Sequence, residues 1–278
     1  MKKIKPFLHN STTDTLLLTL YARAVESQRP RPLIQDEQAV ILVEQIDYDF
    51  SIFDNIPTTS VSVALRTAHF DKITREFINS HQTPIIVAVG CGLDTRKQRL
   101  GDISDKAVFY QLDVPKVIEL REQLLPLSAN EHYIACCMLE SKWKDELLKN
   151  HPNGEFLFLI EGVLMYLTES ENRQFLTELA ERFKGAELHF DIFNLWMSQN
   201  TAFHDGVNRT AASFKFGIND EKQLENWHQD LVHEQTWLLG DYPDWYRMGL
   251  PFVSLYLVYY AVRTASKFLK FTIKKPPK

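Results

Sequence analysis

Residues 84–96 read Pro84-Ile-Ile-Val-Ala-Val-Gly-Cys-Gly-Leu-Asp-Thr-Arg. The run from Ile85 to Val89 is short, continuously apolar and rich in β-branched residues, which is typical of a strand buried on both faces in a parallel sheet. Gly90 and Gly92 follow directly, and glycines there allow a tight turn and a close approach of the backbone to a ligand. The stretch therefore predicts a first parallel strand followed by a ligand-binding loop.

Strands and helices alternate downstream of this stretch. The sequence predicts strands at 108–112, 133–136, 156–160 and 187–193, separated by helices at 115–125, 141–150 and 169–184. Pro115 suits the first turn of its helix, where its missing N–H would have no partner. This alternation indicates right-handed crossovers and a parallel sheet, and therefore an α/β fold.

The flanking regions differ from this core. Apolar spacing predicts a first helix at 14–29, capped by Asp14, and a second helix that begins after Asp36 as its cap. It also predicts a third helix at 60–80, and residues 48–53 are expected to form a loop between the second and third helices. Residues 195–250 have poor periodicity and four of the five tryptophans, so we interpret them as substrate-side structure. The apolar run 250–262 is too short to span a bilayer and predicts a buried helix, with a surface that meets an apolar partner as the alternative. Residues 268–273 predict a late strand.

We interpret the chain as a single domain over residues 1–278. Its three parts are a helical cap at 1–80, a cofactor-binding core at 84–193, and a substrate-side insertion with C-terminal strands at 194–278. The cap and the insertion are expected to cover the cofactor and to form the walls of the acceptor pocket.

Chemistry-bearing residues follow three of the predicted strands. The first strand delivers Gly90 and Gly92, the second delivers Asp113, 21 residues after Gly92, and the fourth delivers Glu161. Ligands of open α/β sheets bind outside the carboxyl ends of the strands. A carboxylate at position 113 can accept both ribose hydroxyls of an adenosine, so the pattern predicts an adenosine-containing cofactor.

Two cofactor classes fit this arrangement, and the loop separates them. A dinucleotide fingerprint needs a third glycine so that the pyrophosphate can approach the helix N-terminus. Here Gly92 is followed by Leu93 and Asp94, and no GxGxxG motif exists. An acid in this turn would oppose a pyrophosphate, whereas it is compatible with the cationic groups of S-adenosylmethionine. The loop therefore favours S-adenosylmethionine over NAD.

At this point the sequence resembles the family of leucine carboxyl methyltransferases and tetracenomycin-polyketide-type O-methyltransferases. The resemblance runs from about Thr13 to Asp191. The segments that carry it are YARA (21–24), LIQDEQA (33–39), IDYDF (46–50), LRT (65–67), VGCGLDTR (89–96), LDVP (112–115) and EGVLMYL (161–167). The resemblance implies a Rossmann-like class I methyltransferase with a mostly parallel seven-stranded sheet, an N-terminal helical cap and S-adenosylmethionine as cofactor.

The resemblance also implies roles for individual residues. A guanidinium binds carboxylates bidentately, and Arg66 matches the arginine that holds the carboxylate of the cofactor. Arg23 matches a basic position near that carboxylate, and Gly90 and Gly92 match the cofactor loop. Asp113 matches the acid that binds the ribose, and Glu161 matches the acid after the fourth strand. Cys137 and Met138 match the residues that contact the adenine. Asp94 and Arg96 are expected to brace the loop by ion pairing.

The sequence does not identify a catalytic residue. A carboxylate acceptor needs no base, whereas a phenol acceptor would gain from one, and His204, His228 and His233 are the candidates in the substrate-side region. Tyr166 is a candidate for lining the reaction site. The tryptophans favour an aromatic or polyketide-like small molecule, methylated on a hydroxyl or carboxyl oxygen, over a protein C-terminus, which stays the alternative acceptor.

Composition excludes several classes of partner and leaves three rival functions. A net charge of −5 and a pI of about 6.0 argue against nucleic-acid binding. Three cysteines without a CxxC pair indicate a cytoplasmic protein with no structural metal site. The rivals are a nucleotide-binding oxidoreductase, a non-catalytic binding protein of the same fold, and a membrane-associated variant that would use residues 250–262 and the lysine-rich C-terminus.

Overall fold

The computed structural model describes residues 3–6 and 11–275. This part of the chain forms ten α-helices and one sheet of seven strands. The helices are α1 (Ser11–Ser27), α2 (Glu37–Gln45), α3 (Pro57–Ser80), α4 (Arg96–Leu100), α5 (Pro115–Leu124), α6 (Lys142–Asn150), α7 (Glu169–Arg182), α8 (Leu195–Gln199), α9 (Leu250–Val258) and α10 (Tyr260–Arg263). The strands are β1 (Pro84–Val89), β2 (Val108–Asp113), β3 (Glu131–Ala135), β4 (Glu155–Ile160), β5 (Glu187–Phe193), β6 (Leu231–Leu238) and β7 (Ser266–Ile273).

The strand order of the sheet is β3-β2-β1-β4-β5-β7-β6. Neighbours among the first five strands are parallel, whereas β7 is antiparallel to both β5 and β6. The chain moves outward from β1 to β3 and then returns to the other side of β1, so the strand order reverses between β1 and β4. Ligand sites lie at the carboxyl ends of strands beside such a reversal. The predicted Rossmann-like, mostly parallel sheet of seven strands is confirmed.

The central strands are covered on both faces, as their continuous apolar sequences predict. All six residues of β1 are buried. Alternate side chains point to opposite faces: Val87 packs with the cluster that contains Trp143 and Phe175, and Ile86 packs with Phe70 from α3. Fully burying one such side chain contributes about 1.5–3 kcal/mol. The sheet therefore holds the β1 and β4 ends on a rigid support.

Helix α1 packs against both α2 and α3, and the three N-terminal helices begin near the predicted positions. Asp36 caps α2, because its Oδ1 accepts the N–H of Ala39 at 3.0 Å. Helix α1 begins at Ser11 and α3 at Pro57, each three residues before its predicted start. The prediction that Asp14 caps α1 is wrong, because Asp14 lies inside the first turn of the helix. Pro57 occupies the first turn of α3, where its missing N–H leaves no bond unmade. The predicted loop 48–53 contains a 3-10 turn at Phe50–Phe53.

The C-terminal region contains one strand that the sequence pattern did not reveal. Residues 195–250 form α8, several 3-10 turns and the edge strand β6, whose side chains are only partly buried. A half-exposed edge strand has a weak apolar alternation, so it is hard to detect by pattern. The predicted strand 268–273 is confirmed and begins two residues earlier, in β7.

The prediction that residues 250–262 form a buried helix is wrong. Helices α9 and α10 form there, but Tyr256 is the only buried residue of α9, and the exposed fractions of Leu250, Leu257 and Val258 are 81%, 66% and 74%. Helix α9 is apolar around most of its circumference, so packing one side through Phe252 and Tyr256 leaves the apolar side chains of the other side in solvent. Among the residues described by the structure, none of the helices has the length and apolarity needed to cross a membrane.

Candidate functional site

A cavity of about 870 Å³ opens above the carboxyl ends of β1, β2 and β4. The helical cap, the cofactor-binding core and the substrate-side region all contribute to its walls. Helices α1 and α3 form one side, and residues 204–215 form another. All eight residues predicted to bind the cofactor line this cavity: Arg23, Arg66, Gly90, Gly92, Asp113, Cys137, Met138 and Glu161. The structure thus brings the sequence-predicted residues together in one place.

The loop after β1 depends on its two glycines. Gly90 and Gly92 have φ angles of +66° and +50°, in the left-handed region that side chains with a Cβ disfavour. A Cβ at Gly90 would also collide with the side chain of Val163. The N–H groups of Gly90 and Cys91 both donate to the carbonyl of Leu112, at 2.8 and 3.0 Å. The loop therefore lies tightly against β2, with room for a ligand above it.

Asp113 is placed to receive the ribose hydroxyls of the expected cofactor. Its Oδ2 accepts the N–H of Gly92 and its Oδ1 accepts the N–H of Val114, each at 2.8 Å. A carboxylate oxygen has two lone pairs, so each oxygen retains one for a ligand hydroxyl. Burial raises the pKa of Asp113 above its ordinary value, and the two N–H groups and Arg121 oppose that rise. The donor set therefore fits an adenosine ribose.

Arg66 lies between the buried carboxylate of Asp191 and the partly buried carboxylate of Glu161 at the opposite wall. Its Nε donates to Glu161 at 3.0 Å and its Nη1 to Asp191 at 2.8 Å, while Nη2 has no partner among residues 3–6 and 11–275. Although burial favours the neutral carboxyl, Arg66 and Arg96 hold the pKa of Glu161 below its usual range. Arg66 thus keeps one free donor edge, which suits the carboxylate of an amino-acid moiety.

Asp191 is a site residue that the sequence analysis missed. It lies in β5 and lines the cavity, where it accepts hydrogen bonds from Arg66 and from the N–H of Gly162. Burial raises its pKa, against the opposing effect of Arg66. The signal was available, because Asp191 stands near the carboxyl end of a predicted strand, as Asp113 does.

A network of buried ion pairs fixes the loop from below. Arg96 pairs with Asp94 at 2.8 Å and with Glu161 at 2.6 Å, so the prediction that Asp94 and Arg96 brace the loop is confirmed. Arg99 also pairs with Asp94, at 3.0 Å, and Arg23 pairs with Asp36 and donates to the carbonyl of Leu93 at 2.7 Å. Arg23 therefore lines the cavity while its donors are largely used to hold the protein together.

The expected adenine end of the cavity lies after β3. Met138 is buried, and its carbonyl accepts the indole N–H of Trp143 at 3.2 Å. Cys137 is exposed, and its N–H donates to Glu140 at 3.0 Å. Neither side chain has a carboxylate that could accept a hydrogen bond from the adenine amine, so this wall of the cavity is mainly apolar.

The other end of the cavity is aromatic. Tyr166, Phe193, His204 and Phe214 line it, and the ring centroids of Phe193 and Phe214 are 4.6 Å apart. His204 is the one candidate histidine that reaches the cavity, since His228 and His233 lie elsewhere. None of the tryptophans lines the cavity. Each of the four between 196 and 245 packs against another aromatic ring of the protein, so the tryptophans do not support an aromatic acceptor. Other residues of the same segment, His204, Val207 and Phe214, do line the cavity.

Two groups in the cavity are poor candidates for reacting directly. Burial raises the pKa of the Cys91 thiol well above its usual range, so it stays protonated and weakly nucleophilic at neutral pH. Burial likewise raises the pKa of the Tyr166 phenol. The site therefore offers a glycine-rich loop, a ribose acid, a guanidinium edge and an aromatic wall, with no evident covalent nucleophile among its described residues.

Known proteins are similar to this chain in sequence. The family model described as leucine carboxyl methyltransferase matches residues 17–180. The tetracenomycin polyketide synthesis O-methyltransferase TcmP of Streptomyces glaucescens is 30% identical over 230 residues, which cover 83% of this chain and 84% of that relative. The S-adenosyl-L-methionine-dependent methyltransferase dpfgK of Gibberella zeae is 27% identical over 82% of this chain and 83% of that relative.

A solved structure agrees with the fold. A DUF574 family protein from Streptomyces avermitilis superimposes with a TM-score of 0.59 at 11% sequence identity. The match covers 96% of this chain and the whole of that protein's chain. At this level of identity the likeness supports the architecture of the sheet and its helices.

Proposed function

Since the chain belongs to the leucine carboxyl methyltransferase family and is an S-adenosylmethionine-dependent methyltransferase, we propose that it methylates an oxygen of a small, largely apolar acceptor. The observation that carries this proposal is the continuous cavity of about 870 Å³, which extends from Asp113 to the aromatic wall. Pockets for small molecules are mostly apolar with few polar anchors. The name of the relative TcmP, a polyketide O-methyltransferase, supports the same class of acceptor.

The roles of the cofactor residues follow from their contacts. In the proposed complex Asp113 accepts the ribose hydroxyls, and Arg66 uses its free Nη2 to bind the carboxylate of the methionine moiety. Gly90 and Gly92 let the backbone approach the cofactor. Arg23 and Glu161 hold the loop and Arg66 in position, and Cys137 and Met138 cover the adenine.

The acceptor end favours an oxygen that is already ionised. When bound, S-adenosylmethionine supplies a methyl group on a sulfonium that is open to direct displacement by oxygen. Tyr166 stays protonated, and the carboxylates of Glu161 and Asp191 are engaged by Arg66. None of these three groups is a free base, and the protein contributes alignment, which can supply much of the rate. A carboxylate acceptor requires nothing more.

Two broader assignments belong to the same proposal. We place the protein in the cytoplasm, which the three free cysteines support, and in secondary metabolism, which the name of the relative TcmP supports. The net charge of −5 supports a small-molecule partner over a nucleic acid. The oligomeric state is not part of the proposal.

Calorimetric titration with S-adenosylmethionine and with NAD tests the cofactor site. We expect micromolar binding of S-adenosylmethionine, no binding of NAD, and weaker binding of S-adenosylmethionine to Asp113→Ala and Arg66→Ala. Asp102→Ala, an exposed substitution outside the cavity, is the matched control. Transfer of labelled methyl groups to a panel of aromatic acids, phenols and C-terminal peptides then tests the acceptor. Labelling of peptides alone would refute the small-molecule assignment.

A further inference from the structure

His204 is held at the aromatic end of the cavity by contacts to one side of its ring. The N–H of Val207 donates to its Nδ1 at 3.1 Å. The ring packs between Phe193 and Phe214, with centroid separations of 5.9 and 5.6 Å. His204 belongs to the lining of the cavity, and its Nε2 has no hydrogen-bonding partner in the described part of the chain.

The contacts at Nδ1 fix the tautomer. A backbone N–H is always a donor, so Nδ1 must accept with its lone pair, and the proton of the neutral ring is then on Nε2. The hydroxyl of Thr59 lies 3.3 Å from Nδ1, but it donates its only hydrogen to Asp205. Placing a proton on Nδ1 would remove the partner of the Val207 N–H, which makes no other hydrogen bond in the described structure.

This arrangement is unsuited to a general base. A base would accept the substrate proton on a free nitrogen lone pair, but Nε2 already carries hydrogen and the lone pair of Nδ1 is occupied. Burial also lowers the pKa of His204, as does Arg66, while Asp205 and the backbone carbonyl of His204 itself act in the opposite direction. A protonated state of the ring is therefore disfavoured from both the geometric and the electrostatic side.

Resting on the proposed methyl transfer, we propose that His204 positions the acceptor by donating a hydrogen bond from its Nε2–H to the oxygen that receives the methyl group. Val207 acts through His204, because its N–H fixes the tautomer of the ring, and Asp205 holds the Thr59 hydroxyl beside Nδ1 so that this hydroxyl does not donate to the ring. The partner this donor selects is an oxygen with an available lone pair beside an aromatic or apolar body. The strongest such bond is made to an oxygen anion.

The tautomer can be measured without knowledge of the natural acceptor. In protein with ¹⁵N-labelled histidine and bound S-adenosylhomocysteine, the ring nitrogen shifts of His204 distinguish the two neutral tautomers and the imidazolium. We expect the Nε2–H tautomer at neutral pH. His228 is a matched internal reference, because its Nδ1 accepts the N–H of Asp230 at 3.1 Å but its ring lies outside the cavity. An Nδ1–H tautomer or an imidazolium at His204 would overturn the proposal.

Naphthoate, an aromatic carboxylate, probes the donor itself. We expect it to move the Nε2–H resonance of His204 in the S-adenosylhomocysteine complex. His204→Phe keeps an aromatic ring and removes the donor, so naphthoate should bind about 10-fold more weakly or worse. His204→Gln, which keeps an N–H, should recover part of that loss, and His228→Phe should change nothing.

The outcomes separate this proposal from the proposed function. All variants should bind S-adenosylhomocysteine as the wild type does. Equal naphthoate affinity in wild type and His204→Phe, or no naphthoate binding to the wild-type complex, refutes the donor role while leaving the cofactor assignment intact. Failure of S-adenosylhomocysteine itself to bind refutes the proposed function, and the tautomer of His204 is still decided by its nitrogen shifts.

Discussion

Replacing Arg121 by methionine tests how the cofactor loop is held in place. Arg121 lies in α5, and its side chain is fully buried. Its Nη1 donates to the carbonyls of Gly92 and Asp94, at 3.1 and 2.7 Å, and its Nη2 lies 3.6 Å from Glu131. One guanidinium therefore fixes two carbonyls of the loop and balances a buried carboxylate.

The size of the effect follows from these contacts. A hydrogen bond from a charged donor contributes about 1.5–3 kcal/mol, and removing one partner of a buried ion pair costs about 3–5 kcal/mol. The two free-energy costs are not added, because they describe the same guanidinium. Glu131 also keeps two other donors, Gln111 and Ser128, when Arg121 is removed. We expect Arg121→Met to lose about 3–5 kcal/mol of unfolding free energy. We also expect S-adenosylhomocysteine to bind about tenfold more weakly, because the loop is no longer held.

Urea unfolding and calorimetric titration measure the two effects separately. In the double variant Arg121→Met/Glu131→Gln, the uncompensated charge is gone, so about 2 kcal/mol of stability should return. The cofactor affinity should not return, because the carbonyls of Gly92 and Asp94 stay without their donor. A stability loss below about 1 kcal/mol in Arg121→Met, with unchanged affinity, would refute this account of the loop.

Three further predictions concern single residues. Asp113→Asn turns one acceptor into an N–H₂ that faces a backbone N–H, so we expect titration to show S-adenosylhomocysteine binding weakened about 10-fold or more; unchanged affinity would contradict the ribose role. Gly90→Ala forces a Cβ against Val163 at a positive φ, and we expect lower cofactor affinity and a lower melting temperature by calorimetry, whereas wild-type values would show that the loop tolerates a side chain. Burial lowers the pKa of His69 to about 3, so the unfolded state binds a proton more tightly. The stability due to neutral His69 is complete above pH ~6.5 and is lost as the pH falls toward 3, by about 1.4 kcal/mol at pH ~5.5. His69→Gln should remove that share of the pH dependence in urea unfolding, and an unchanged slope would contradict the assignment.

The central fold was predictable because its signals are local. The β1 sequence is apolar on both faces, so it could only be a buried strand, and Asp36 and Pro115 mark helix starts by the chemistry of their own backbone neighbours. Strand β6 gave no such signal, because an edge strand buries only part of its side chains. Helix α9 gave a misleading one: its apolar sequence predicts burial, but nothing in a single sequence states how much of its surface will be covered.

The site was predictable as far as strand ends reveal it. Asp113 and Glu161 were found because they follow strands directly, and the resemblance supplied Arg66. The sequence predicted the ion pair of Asp94 with Arg96 but not the second one, with Arg99. Asp94 was also expected to discriminate between cofactors by its negative charge, yet two arginines balance that charge in the structure. The choice of cofactor was correct, but this reason for it is weakened.

The exposed apolar surface of α9 has a practical consequence for measuring stability. With Leu250, Leu257 and Val258 largely in solvent, the folded protein offers a binding place for environment-sensitive dyes such as ANS, which become fluorescent on apolar surfaces. Melting curves followed with such dyes would begin from a bright baseline and understate the transition. The tryptophans at 237 and 245, which pack against neighbouring rings in the folded state, provide the better reporter, since their intrinsic emission changes only when that packing is lost.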